Sequence, residues 1–359
     1  MEQIIHHTKP SFDFREIECL KSIILSRNVN EGKQVEQLIG TVSKMVGAGG
    51  GISTSTGTLG LHIALKTLGV EKECDEVIIP DFACRSLYDC VRMAGGTPVF
   101  CDINLDDYSL DLDSVRSVLN SNTKSIILPH MYGCPADIDA FLNLGVPVIE
   151  DCAHSMGAMY NGKTVGSLGT LSVFSFEGSK IVAAGEGGVV LSSADHVVER
   201  LINMRRGRSG KFIYHYRLSD IIAAIALIQI EKLPVMIKKR KEIAQFYMEN
   251  LSDLEREGHL KLPSVFSDRD GTYYRFVVLC QEETSDLIRN ANERGIFVRN
   301  PMPSGCLSDS FDGIRAKNLN AKRLAGNGLS LPIYPDLTKE EMQAVVNEIT
   351  TYITVVNPG

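Results

Sequence analysis

No two cysteines in this sequence stand in the CxxC spacing, and the nine present, among them Cys74, Cys84, Cys90, Cys101, Cys134 and Cys152, are scattered without a regular interval. Neither a disulfide framework nor a metal site is therefore expected, and a reducing cytoplasm is the expected compartment. Positive charge is not in excess either. Lysine plus arginine total 37 against 44 for aspartate plus glutamate, a net charge of −7. That balance offers no global field to draw nucleic acid or an acidic membrane surface, so neither is expected as a partner. The longest apolar run, IIAAIALIQI from Ile221 to Ile230, is half of what a bilayer span requires and is bounded by Asp220 and Glu231, so it reads as a buried helix. The opening MEQIIHHTKPSFDF places two histidines, a lysine and a proline where a signal peptide needs an unbroken apolar stretch, and export is not expected. Internal repeats and low-complexity segments are also missing.

What is present is a chain of 359 residues with 44% hydrophobic content, enough to bury one large core and a second, smaller one. Residues 15–46 carry the pattern of amphipathic helices interrupted near Asn28 to Gly32. Between Gly51 and Leu191 the pattern changes to short β-rich runs alternating with helical stretches: VIIP, TPVFCDI, SIILPHM, PVIED, LSVFSF and GGVVL. That alternation predicts an α/β fold with a mostly parallel central sheet flanked by helices. Ligands of such sheets bind at the carboxyl ends of the strands. After Arg240, YYRFVVLC, a helix around Glu283 to Arg294 and a last helix from Thr338 predict a smaller α+β unit, dividing the chain into 1–240 and 241–359.

Six residues could carry chemistry. STSTGTLGLHIALKTLG sets Gly57 and Thr58 at the start of a helical run, where free backbone N–H groups and the helix dipole suit a phosphate, although Ser and Thr also cap ordinary helices. Asp151 closes the run PVIED at the end of a central strand, and a buried carboxylate needs a cationic partner. A protonated pyridine nitrogen is one such partner; a helix cap or an arginine would serve equally. His154 follows three residues later, where it could lie over a cofactor ring or be a satisfied structural histidine. In FSFEGSKIVAAGEGGVVLSS a strand runs into a polar loop with one lysine, Lys180, then a glycine-rich turn. A lysine at a strand exit has the layout of a Schiff-base nucleophile, or of a solvated surface lysine beside a hairpin. Ser175 would offer its hydroxyl to the phosphate.

Taken in order and spacing, TGTLGLHIAL, the DEVIIPDF to AGGTPVFCDI block, HMYGCPADID, VIEDCAHSMGA, SFEGSK with GEGG, HYRLSDIIAAIALIQIEKL and LSLPIYPDLT resemble the DegT/DnrJ/EryC1/StrS family of aminotransferases along nearly the whole chain. The resemblance implies a fold type I enzyme dependent on pyridoxal 5'-phosphate (PLP). It also implies a homodimer with shared active sites, moving an amino group from an amino-acid donor such as glutamate to a keto group on a nucleotide-linked sugar. By position it makes Lys180 the Schiff-base lysine, Asp151 the partner of the pyridine nitrogen and His154 the residue near the ring. Gly57, Thr58 and Ser175 become phosphate-holding positions. His215 and Arg217, in HYRLSD, are the residues that reach the neighbouring subunit's site, the first toward its cofactor and the second toward its substrate.

The chain departs from the family at three places. His215 stands where an asparagine is expected, Cys84 replaces an aromatic residue that commonly stacks on the cofactor, and a histidine- and tyrosine-containing stretch is shortened to VRNPMPSGCLS. Two other functions compete with transamination: a different PLP reaction on a sugar or cyclitol, such as dehydration, and a PLP-binding regulatory protein without turnover. Dehydrating relatives have lost the lysine; Lys180 and Asp151 are both retained here.

Overall fold

A computed structural model describes residues 4–207, 213–311 and 318–356. Its centre is a seven-stranded sheet, with β1 Gly50–Thr54, β2 Glu76–Pro80, β3 Thr97–Cys101, β4 Thr123–Pro129, β5 Val148–Asp151, β6 Leu171–Ser175 and β7 Gly188–Ser192. The spatial order is β1-β7-β6-β5-β4-β2-β3. β7 runs antiparallel to both of its neighbours, and every other pairing is parallel. β5 is buried along its whole length, which is why its sequence shows no alternation of apolar and polar residues.

The strand β1 was not legible as a strand, because GGIST has too few apolar residues to signal one. Its glycines are there for approach: a Cβ on Gly51 would stand 1.8 Å from the Val190 carbonyl oxygen, so only glycine lets β1 lie against β7. On one face of the sheet the helices Gly57–Thr67 and Ser86–Ala94 bury Ile63, Leu65 and Val91 against Ile79, Ile127, Ile149 and Val173. On the other, helix Lys33–Val46 and the first third of helix Asp220–Arg256 bury Leu38, Val42, Ala223 and Leu227 against Ile78, Leu128 and Phe174.

The apolar run at Ile221 opens a single helix of 37 residues, about 55 Å long, that continues past Pro234 and Arg240 to Arg256. Its later turns enter a second core, where Tyr247 and Leu251 meet Phe276, Val278, Leu331, Val345 and Ile349. A three-stranded antiparallel sheet of Leu260–Lys261, Phe276–Cys280 and Gly328–Leu331 forms the frame of that core. The segment Ile5–His7 joins it from the other end of the chain: Ile5 N–H donates to Gly295 O at 2.8 Å, Phe297 N–H to Ile5 O at 2.9 Å and Ile333 N–H to His7 O at 3.2 Å. Among the described residues no helix is long and apolar enough to cross a membrane.

Candidate active site

The carboxyl ends of β4, β5 and β6 open onto a cavity of about 440 Å³. Gly57, Thr58, Cys84, Asp151, His154, Ser175 and Lys180 all line it, brought together from four separate segments of the chain. In its wall the helix Gly57–Thr67 starts with Thr56 as its cap; the Thr56 hydroxyl accepts from Leu59 N–H at 3.1 Å. The N–H groups of Gly57 and Thr58 take no acceptor among the described residues. Gly57 also presses against Ser175, where a Cβ would stand 2.9 Å from the serine Cβ. A bare helix start therefore lies beside a hydroxyl, as an anion requires.

Asp151 is buried at the end of β5, its Oδ1 accepting from Ala153 N–H at 3.0 Å. Burial pushes its carboxyl above the ordinary range, opposed by the Ala153 bond and the Lys180 charge. Its neighbour Glu150, on the opposite face of the strand, accepts from His130 Nε2 at 3.0 Å and from the N–H groups of Gly166, Leu168 and Gly169 at 2.8, 2.8 and 2.6 Å. Burial raises the Glu150 pKa, but these bonds outweigh it and hold the group ionised. His130 Nδ1 accepts from Ala136 N–H at 3.0 Å, so Nε2 carries the proton. This network ties the end of β5 to β4 and to the turn before β6.

Lys180 sits in the loop after β6, with its Nζ 5.3 Å from the centroid of the Tyr274 ring. The imidazole of His154 stacks on the same tyrosine at 4.3 Å and on Tyr132 at 6.1 Å. Burial, then the Lys180 and Arg275 charges, keep His154 neutral well below its usual pKa. Tyr274 itself was missed by the sequence reading. Burial raises its phenol, yet the Lys180 and Arg275 charges and the hydrogen bond shared with the Ser179 hydroxyl at 3.2 Å overcome that and bring it down to about 8. The run TYYRFVVLC reads only as a strand with polar residues at its start, and nothing local to it points at Lys180. Arg275 lines the cavity as well and was missed for the same reason; Glu177, inside the SFEGSK motif, also lines it.

His215 and Arg217 do not join this cavity. Both are exposed, and Arg217 Nε lies 4.0 Å from Glu31 with 67% of its side chain accessible. Cys84 does line the cavity, with its sulfur 3.2 Å from the Ser86 hydroxyl. The shortened stretch VRNPMPSGCLS supplies Met302 and Pro303 to the wall.

The profile of the DegT/DnrJ/EryC1/StrS aminotransferase family matches residues 10–350. The chain belongs to this family. It is a PLP-dependent aminotransferase of the fold type I class. It is 27% identical to a GDP-perosamine synthase of Vibrio cholerae, over 97% of this chain and 99% of that one. It is 29% identical to the GDP-perosamine synthase of Escherichia coli O157:H7, over 93% of each. An aminotransferase structure from Psychrobacter cryohalolentis superposes with a TM-score of 0.91 at 27% identity, covering 97% of this chain and 98% of the other. The residues present fit PLP. Asp151 is a buried carboxylate without a cation at ion-pair distance among the described residues, and the unpaired N–H groups of Gly57 and Thr58 form an anion cradle in the same cavity.

Proposed function

We propose that the enzyme transfers an amino group from an amino-acid donor, glutamate being the expected one, to a keto group on a nucleotide-linked sugar. The observation that carries the reading is the meeting of a lysine, a buried aspartate and a bare helix start in one cavity. The two relatives named GDP-perosamine synthase support a GDP-linked keto sugar as the first acceptor to try.

When bound, PLP supplies a ring that takes up the negative charge left as a proton leaves the donor's α-carbon. Asp151 is assigned to the ring nitrogen, where its charge keeps that nitrogen protonated. Gly57, Thr58 and Ser175 are assigned to the phosphate, and His154 to the ring's surroundings. Lys180 is assigned both the covalent hold on the cofactor and, once released, the movement of the proton. A lysine retained at this place also argues against the dehydrating reading.

The active unit proposed is a homodimer in which His215 and Arg217 complete the partner's site. Two features support it. Both residues stand exposed outside their own cavity, and the first helix presents Phe14, Ile17, Ile24 and Leu25 at 60–72% exposure, an apolar face that a second copy would cover. We further propose a cytoplasmic protein, supported by nine free thiols, and a large unit 1–240 with a small unit 241–359, supported by the two cores, the second of which also takes in Ile5 from the start of the chain.

The experiment is to add glutamate to the PLP-loaded protein and follow its absorbance, then to offer GDP-linked and other nucleotide-linked keto sugars and, in parallel, nucleotide-free keto-cyclitols. A spectral change with glutamate and turnover with a nucleotide-linked sugar is the expected result. Turnover with free cyclitols alone would overturn the acceptor assignment.

A further inference from the structure

The cavity carries more negative than positive charge. Among the described residues Asp151, Glu177 and Glu186 line it, with Lys180 and Arg275 as the only cationic side chains. With Lys180 committed to the cofactor, Arg275 is the one cation left on the wall among the described residues. An amino-acid donor arrives with at least one carboxylate, and Asp151, Glu177 and Glu186 would repel it.

Arg275 is also uncommitted. Lys241 and Arg269, which line a neighbouring cavity together with Arg275, pair with Asp270 and Asp107. Among the described residues Arg275 faces no carboxylate at ion-pair distance: one arm donates to the Pro301 carbonyl, and its buried Nε has no partner. The carboxylate of Glu177 is turned away, accepting from the Ser179 N–H at 3.0 Å and the Ser179 hydroxyl at 2.5 Å. The Arg275 guanidinium lies 5.4 Å from the Tyr274 ring centroid and Lys180 Nζ 5.3 Å from it, so one aromatic ring positions both cations. A guanidinium on a cavity wall with no carboxylate against it is a place for an anion from outside.

We propose that Arg275 binds a carboxylate of the amino donor. This rests on the aminotransferase reading above. The planar fork of a guanidinium matches a carboxylate with two parallel hydrogen bonds, which a lysine at the same place would not do. The carboxylate has two possible sources, the α-carboxylate that every amino acid carries or the side-chain carboxylate of glutamate.

The test compares wild type with Arg275→Gln, which keeps a donor for the Pro301 carbonyl but no charge, and with Arg275→Lys. Glutarate, a dicarboxylate that cannot react, is titrated into each PLP-loaded protein by calorimetry. The kcat/KM for glutamate, for alanine and for the keto-sugar acceptor are measured separately. Arg275→Gln should weaken glutarate and lower kcat/KM for glutamate by about ten- to a hundredfold, with Arg275→Lys in between. An equal loss with alanine identifies the α-carboxylate, and a loss confined to glutamate identifies the side chain. Unchanged glutarate affinity and unchanged donor kcat/KM would overturn the proposal, as would a loss confined to the acceptor. Failure of the transaminase reading is distinct: no amino acid would then alter the wild-type spectrum, while glutarate binding would still report on Arg275.

Discussion

The wall formed by Met302 and Pro303 depends on a carboxylate far away in sequence, and replacing it gives a sharp prediction. Asp81, fully buried just after β2, accepts from the Ser308 N–H at 2.7 Å, from the Ser308 hydroxyl at 2.7 Å and from Asn318 Nδ2 at 2.9 Å. Its own carbonyl accepts from Leu307 N–H at 2.7 Å. In Asp81→Asn one acceptor oxygen becomes a donor, so at least one of these buried donors faces another, and the remaining bonds lose their charge assistance. A net hydrogen bond to a charged group is worth about 1.5–3 kcal/mol and an orphaned buried donor costs about 1–3 kcal/mol, so we expect a loss of roughly 2–4 kcal/mol. Because the loss falls on one tether, amide exchange in residues 302–311 should accelerate by roughly thirty- to a thousandfold while that of β4 and β5 changes little. Donor kcat/KM should fall with it. Ser308→Ala, which removes one hydroxyl donor, should show a smaller shift of the same kind. Unchanged exchange in 302–311 would refute the tether.

Lys180→Ala should still bind PLP through Asp151 and the helix start but fail to turn over, and borohydride should fix the cofactor to no residue in it; labelling of another lysine in wild type would refute the assignment. The cofactor-free protein should show one tyrosine titrating near pH 8, read cleanly because the chain has no tryptophan, and that step should vanish in Tyr274→Phe and move upward in Lys180→Met. As an acid with a depressed folded pKa, Tyr274 contributes stability that is present above about pH 10 and lost as pH falls through about 8, so thermal stability of the apoprotein should lose this contribution over that window. Mixing Lys180→Ala with Arg217→Ala should restore part of the activity if the arginine acts across the dimer; no recovery in mixed dimers shown to form would exclude it.

The parallel strands were legible because buried strands write themselves as short apolar runs, and Asp151 and Lys180 because each stands at the exit of one. The strand β1 was not, since its glycines answer to a backbone contact with Val190 and leave no hydrophobic signal. The long helix was legible by its apolar opening at Ile221, while its unbroken passage from one core to the other was not. Tyr274 and Arg275 were invisible for a different reason: their meaning lies in the distance to Lys180, and that distance is set by how the smaller sheet docks on the larger. Asp81 likewise reads as a loop aspartate until Ser308 and Asn318 are brought to it.

The placement of Ile5 and His7 also says something about time. His7 Nε2 meets the Ser330 hydroxyl at 2.9 Å across 323 residues of chain. At a synthesis rate of about 5–20 residues per second, roughly a quarter of a minute to a minute separates the appearance of those two residues. Among the first described residues to leave the ribosome are thus some of the last to find their place. Until they do, the apolar surface that receives Ile5 stays open on a nascent chain whose sheet strands have all been made.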